Sequence, residues 1–343
     1  MLDLDHFIKA LPKAELHMHL EGSLEAELMF ELAGRNQIAL RWPTPQALRA
    51  AYRFDHLQSF LALYYEGCGV LRTRADFCDV TLAYLYRAHQ NGVIRAEMFL
   101  GPQSFTSRGV PIATVMDGIF DAIDEARAAF GISGALLVSV QRHRSEADAY
   151  ALLDAVEPWR WRILGFGLGG AEAGNPPSKF QRFFDTCRQR GFRLTAHAGE
   201  EGPASYVAEA ADVLRVDRID HGNACLDDRA LVQRLVQRQT PLTVCPLSNL
   251  RLKLVPSMDK HPLRGMLEAG LNVTVNSDDP AYFGGHVSDN LMQCAQGLGL
   301  TVQQIVTLAR NSIRASFMTA QEIADGLAAI DACCAQYGVA LQD

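Results

Sequence analysis

Four residues of metal-binding type close separate apolar runs: His17 and His19 in AELHMHLEG, His197 in LTAHAGEEG, and Asp278 in VTVNSDDP. Three neutral imidazoles and one carboxylate, brought to one end of a barrel, would hold a divalent metal and leave a position for water. Residues two apart on a strand share a face, so His17 and His19 can approach one ion from a single strand end. Beside each ligand stands a spare titratable group. Glu200 follows His197 by three residues, His221 ends RIDHG, and Asp279 adjoins Asp278. Glu200 suits proton transfer to a substrate, His221 suits orienting or deprotonating water, and Asp279, diverging from its neighbour, suits a substrate nitrogen. Each also has a plainer reading, respectively a solvated loop carboxylate, a hydrogen-bonded core histidine and a turn cap.

Such residues converge only if the chain supplies strands to carry them. Apolar runs bounded by Gly, Pro, Asn or Asp give eight strand candidates: Ala14 to His19, Val93 to Gly101, Gly134 to Gln141, Ile163 to Gly169, Phe192 to His197, Arg218 to His221, Pro241 to Cys245 and Asn272 to Asn276. Helix-period segments separate them: Ile112 to Phe130, Ser178 to Arg190, Ala204 to Leu214, Asp227 to Gln237 and His261 to Ala269. Eight alternating units predict an α/β fold, a (β/α)8 TIM barrel, with catalytic groups at the carboxyl ends of the strands. The long gap after the first strand holds Arg41-Trp42-Pro43-Thr44-Pro45 and FDHLQSFLALYYEGCGVL, a helical insertion that either covers the site mouth or packs on the barrel wall. Thr301 to Phe317 and Thr319 to Tyr337 read as extra C-terminal helices, the second opened by Thr319 with Glu322 three residues on. No linker or low-complexity stretch divides residues 1–343, so one domain is expected.

Composition narrows the partners. The chain has 343 residues, 48% of them hydrophobic, and so can bury a large core; its formal net charge of −7, with scattered arginines, disfavours a nucleic-acid partner. A small neutral substrate fits better, and a homo-oligomer is compatible with the chain. No apolar stretch reaches membrane-spanning length, and MLDLDHFIKALPKAEL has neither a basic n-region nor an h-region, so a cytoplasmic location is expected. The eight cysteines lack CxxC spacing and read as buried, reduced thiols.

Taken in order, LPKAELHMHLEGS, TAHAGEEGP, RIDHG, VCPLSN and VTVNSDDPAYFGG resemble the adenosine/adenine deaminase family of the amidohydrolase superfamily, from about Leu11 to the C-terminal helices. The resemblance implies one Zn2+ per subunit held by His17, His19, His197 and Asp278. It places on Glu200 the acid that protonates purine N1, on His221 the water-orienting histidine, and on Asp279 the contact to N7. The chemistry agrees, because zinc can bring the pKa of water to about 7 and protonation at N1 makes C6 electrophilic. The substrate is then a 6-aminopurine, and the reaction is a hydrolytic deamination that releases ammonia. The HxE and PCxxC plan of the other zinc deaminases is absent.

Within the family the chain leans toward the branch acting on free adenine. Glu21 stands where nucleoside deaminases commonly have Asp, and this longer carboxylate could bond the N9 side and fill ribose space. Gly170 could offer its N–H to purine N3. Two departures from that branch appear: Gly167-Leu168-Gly169-Gly170-Ala171-Glu172 replaces GLDSAE, and His286 replaces the tyrosine after Phe-Gly-Gly. Loss of the Asp and Ser side chains predicts tolerance of N6-substituted adenines. Ser248 and Asn249 are weak substrate contacts, His286 a pocket candidate, and His6, His56, His89, His143 and His261 surface or helix-face residues. Adenosine deamination, another amidohydrolase reaction and a non-enzymatic purine-binding scaffold are the competing readings.

Overall fold

The computed structural model describes residues 2–340, so Met1 and residues 341–343 of the expected domain lie outside it. Eight parallel strands run in the order β1 (Lys13–Glu15), β2 (Val93–Leu100), β3 (Ser133–Gln141), β4 (Ile163–Gly169), β5 (Arg193–Ala198), β6 (Arg218–His221), β7 (Leu242–Val244) and β8 (Val273–Val275), each paired with the next. Helices cross between them, giving the (β/α)8 barrel. The strands are buried on both faces, which is why they read as continuous apolar runs rather than alternating ones.

Regular pairing of β1 stops at Glu15, short of the expected His19. From Leu16 onward the segment is stitched to its neighbours by other means. Leu16 N donates to the Asn276 side chain (2.9 Å), Asp278 N to His17 O (3.0 Å), His19 N to Asp278 O (2.8 Å) and Phe99 N to Met18 O (2.8 Å). The first three close the barrel between its first and last strands, and the Phe99 bond ties the same segment to β2.

Four helices fill the long first connection: Ala26–Arg35, Pro45–Ala50, Leu57–Gly67 and Arg74–Gln90. Thr44 caps the second and lets Pro45 take its first turn, where a missing N–H costs nothing. The expected helix over 204–214 is α-helical only across Ala204–Ala208 and widens to a π-helical turn over Glu209–Val213. Val302–Ala315 and Ala320–Gln336 form as expected, with reciprocal capping boxes at Thr301/Gln304 and Thr319/Glu322. The first of these lies across the barrel seam: Ser312 Oγ accepts from Ala14 N in β1, and Asn311 donates to Val273 O in β8. Near Val302–Ala315, Arg218 is fully buried and bonds Glu97 (2.8 Å), Leu16 O and Ala315 O, while Glu97 also takes Arg95 and Phe317 N. None of the described helices is long and apolar enough to cross a membrane.

Candidate active site

The seam carries the site. Because His17, His19 and Asp278 exchange backbone hydrogen bonds across it, three of the four expected ligands are fixed by the same bonds that close the barrel. Asp278 sits at φ 63°, a left-handed conformation that costs a non-glycine residue ~1–3 kcal/mol and that turns its carboxylate back over the strand ends. His221 pays a similar strain at φ 64°. Phe99 packs against both histidines of the first strand, with ring centroids 5.4 and 5.2 Å away.

The donor atoms converge. Nε2 of His197 lies 3.1 Å from that of His17 and 3.2 Å from that of His19, and Asp278 Oδ1 lies 3.5 and 3.4 Å from the same two nitrogens. A tetrahedral site with ligand bonds of ~2.0–2.1 Å has edges of roughly 3.3 Å, so the donor set fits a zinc-sized ion. His221 also brings a ligand atom into this buried group.

Ring orientation and electrostatics bear on each ligand in turn. His17 Nδ1 is 3.1 Å from the Thr243 carbonyl, which can only accept, so that nitrogen carries a proton and Nε2 is the atom presented to the cluster, where, against the effect of burial, Asp278 raises the imidazole's pKa. Burial, reinforced by the neighbouring His17, pushes His197 down to about 4, keeping it neutral. Burial opposes ionisation of Asp278, yet the adjacent imidazoles of His17 and His19 hold its carboxyl well below the usual range.

Sequence reasoning gave Asp220 and Thr243 no role, and both lie behind the ligands. Asp220 is fully buried, with Oδ2 3.2 Å from His197 Nδ1, and Thr243 Oγ1 bridges Asp220 Oδ1 (3.0 Å) and His17 Nδ1 (3.0 Å). The available signal was a carboxylate inside the apolar strand RIDH. Glu15 was also missed: it accepts from Tyr84 Oη (2.8 Å) and from both the backbone N (3.0 Å) and hydroxyl of Ser277, anchoring the residue before Asp278.

Glu200 faces the cluster and is buried, with Oε2 3.5 Å from His221 Nε2. Burial, then the anionic Asp278 and Glu172, raise its carboxyl well above the ordinary range, so it holds a proton. Burial and the neighbouring His17 depress His221 well below the ordinary imidazole value, so it is neutral. A protonated acid and a neutral base beside one metal-ligand set can give and take protons at opposite atoms of one substrate.

The pocket above them is lined by His19, Glu21, Gly169, Gly170, Glu200, His221, Asp278 and Asp279 from the barrel, and by Leu57, Phe60, Leu61, Tyr64 and Tyr65 from the insertion. The insertion therefore forms a wall of the site rather than only packing outside it. Glu21 accepts from Gly101 N (2.7 Å) through Oε1, while Oε2 is buried without a partner. Asp279 Oδ1 is likewise unpartnered, and burial followed by the adjacent Asp278 raises its carboxyl so that it too keeps a proton. Gly22 is required here, because a Cβ would overlap the Asp279 carboxylate.

Three weaker expectations fail. Ser248 and Asn249 are buried but absent from the pocket lining; Asn249 Oδ1 instead accepts from Asn223 (2.7 Å) and contacts His261 Nε2 (3.0 Å). His286 lies outside the pocket, beginning helix Val287–Leu298 and facing Glu25 at 3.7 Å. His261, expected at the surface, is 3% exposed because it joins the Asn249 network.

Comparison with known proteins converges on the same family. The family model described as adenosine deaminase matches residues 12–332. A protein named adenine deaminase from Rhodopseudomonas palustris is 57% identical over 340 residues, covering 99% of each chain, and one from Zymomonas mobilis is 51% identical over 331 residues, covering 96% of this chain and 98% of the relative. Among solved structures, adenine deaminase from Arthrobacter aurescens superposes with a TM-score of 0.93 at 50% identity, covering 94% of this chain and 99% of that one. An amidohydrolase from Burkhoderia ambifaria with bound Zn gives a TM-score of 0.89 at 27% identity, covering 98% and 96%.

Proposed function

The chain belongs to the adenosine deaminase family, and on that premise we propose how its residues deaminate adenine. The protein is a metal-dependent hydrolase that converts adenine to hypoxanthine and ammonia. We read residues 1–343 as one catalytic domain. His17, His19, His197 and Asp278 would hold Zn2+, a choice supported by the donor spacing and the three-nitrogen, one-oxygen ligand chemistry. Zn2+ held there would make hydroxide available at neutral pH, since zinc can lower the pKa of water to about 7.

The protein residues divide the remaining work. His221, neutral and with no competing partner on Nδ1, orients the attacking water, accepts its proton and returns it to the 6-amino group, which leaves as ammonia when the C6–N bond breaks. Glu200 arrives protonated and delivers its proton to N1, which draws electron density from C6. Asp279, also protonated, donates to N7. Glu21 Oε2 accepts the N9 proton of the free base, and the Gly170 N–H meets N3. The observation that carries this assignment is the pair of buried, unpartnered oxygens, Glu21 Oε2 and Asp279 Oδ1, in one small pocket beside the ligand cluster. A ribose on N9 removes the proton that Glu21 needs and leaves that carboxylate unsatisfied, which costs a nucleoside far more than a missing apolar contact would.

One observation favours a second reading, in which N6-substituted adenines are preferred. Gly169 and Ser139 both line the pocket, and a Cβ on Gly169 would lie 2.9 Å from Ser139 Oγ and 3.7 Å from His197 Cε1, so the glycine keeps this edge of the pocket, beside the ligand cluster, free of a side chain. Initial rates of zinc-loaded protein on adenine, adenosine and N6-isopentenyladenine, each with a chelator-treated control, test both readings. Chelator-sensitive turnover of adenine over adenosine supports the base-deaminase assignment. A faster rate on N6-isopentenyladenine selects the second reading, and preference for adenosine overturns the Glu21 argument.

A further inference from the structure

Glu172, just beyond β4, is 1% exposed and makes an uncommon set of bonds. Its carboxylate accepts four consecutive backbone N–H groups: Gly199 (2.7 Å), Glu200 (3.0 Å), Glu201 (2.8 Å) and Gly202 (2.9 Å). Four successive amides turned toward one anion form a concave nest, which requires a tightly curled backbone. The glycines make room for it. Gly199 takes φ 76°, and a Cβ on Gly202 would fall 2.5 Å from Glu172 Oε1.

The neighbouring strand end completes the grip. Arg142, fully buried, donates Nη1 to His197 O (2.7 Å) and Nε to Asn175 O (2.9 Å), and its own carbonyl takes Lys179 Nζ (2.9 Å). The segment from His197 to Gly202 is thus held at its carbonyl by Arg142 and at its amides by Glu172. We propose that Glu172, with Arg142, is the positioning device that sets Glu200 against the substrate. Glu172 touches no substrate atom in this scheme; it acts through the backbone of Glu200. Misplacement of a catalytic group by about 1 Å can cost on the order of 10²-fold in rate, and without Glu172 four buried or half-buried N–H groups must find other partners, which moves that backbone.

The inference rests on the reading of Glu200 as the acid. The test is a cycle of Glu172→Ala, Glu200→Gln and the double variant, measuring kcat and KM on adenine with metal content and thermal melting alongside. Glu172→Ala is expected to lower kcat by roughly 10²-fold, with KM changed less than about threefold and metal retained. In the Glu200→Gln background the same change is expected to cost less than about threefold, because the residue it positions is already disabled. Equal losses in both backgrounds, or loss of metal in step with activity, overturn the positioning role. If Glu200→Gln alone keeps more than about a tenth of kcat, the acid assignment fails instead. Should Glu172→Ala not fold, Glu172→Gln, which keeps the shape but turns an amide toward donors, replaces it with the same expected non-additivity.

Discussion

The carboxylate of Asp220 lies 3.2 Å from Nδ1 of His197, the nitrogen that points away from the ligand cluster. A partner in that position fixes the imidazole's orientation and tautomer and makes Nε2 a better donor. Asp220→Asn keeps the volume and removes the charge. Metal affinity, measured by competition with a chromogenic chelator, is expected to fall about 10- to 100-fold. An unchanged affinity would show that the barrel backbone alone orients His197.

The raised carboxyl of Glu200 gives the activity a direction in pH. The acid must be protonated to serve N1, so turnover is expected to persist to a higher pH than an ordinary carboxylate allows, and to decline as Glu200 finally ionises. Glu200→Gln, a neutral group that cannot deliver a proton, is expected to lower kcat ~10²–10⁴-fold and to remove that alkaline limb. A limb that survives in Glu200→Gln belongs to another group.

The candidate ligands were legible because metal chemistry accepts few residue types and a barrel puts them at strand ends; His17, His19, His197 and Asp278 were chosen by type and place, and their donor atoms converge. Asp220, Thr243 and Glu15 were not, since a buried polar residue inside a strand gives no sign of what it faces across the barrel. The eight strands were legible as apolar runs. Their ends were not where the seam replaces ladder bonds by the Asn276 side chain, as at Leu16. His261 escaped notice for a related reason: its partner, Asn249, lies across a loop and is invisible to local periodicity.

That same histidine makes stability depend on pH. Leu263 N donates to His261 Nδ1 (3.1 Å), so Nδ1 must accept and cannot carry a proton; burial accordingly lowers its pKa to about 4. A depressed folded pKa means that the unfolded chain binds the extra proton first, below ~6.5. Stability from this group is complete above that value and is lost as pH falls toward 4. Between pH 7 and 5 the loss is roughly 2 kcal/mol. Urea melts at the two values, for wild type and His261→Gln, check this: the variant is expected to be less stable at pH 7 but to lose less on acidification. Equal pH slopes would assign the acid sensitivity elsewhere.

Gly169 offers the sharpest control over substrate choice. A side chain there would enter the space between Ser139 and His197, whereas Gly170, at φ 90°, would strain under any replacement and is a poor place to test the idea. Gly169→Asp is expected to reduce kcat/KM for N6-isopentenyladenine about 10- to 200-fold relative to adenine, the range that filling a pocket by a few atoms can supply. Its Cβ would crowd Ser139 Oγ, so adenine turnover should also dip, and adding Ser139→Ala should restore adenine while leaving the bulky substrate excluded. If the two substrates fall in parallel, the pocket edge at Gly169 does not receive the N6 group, and the glycines serve only the close packing of β4 against its neighbours.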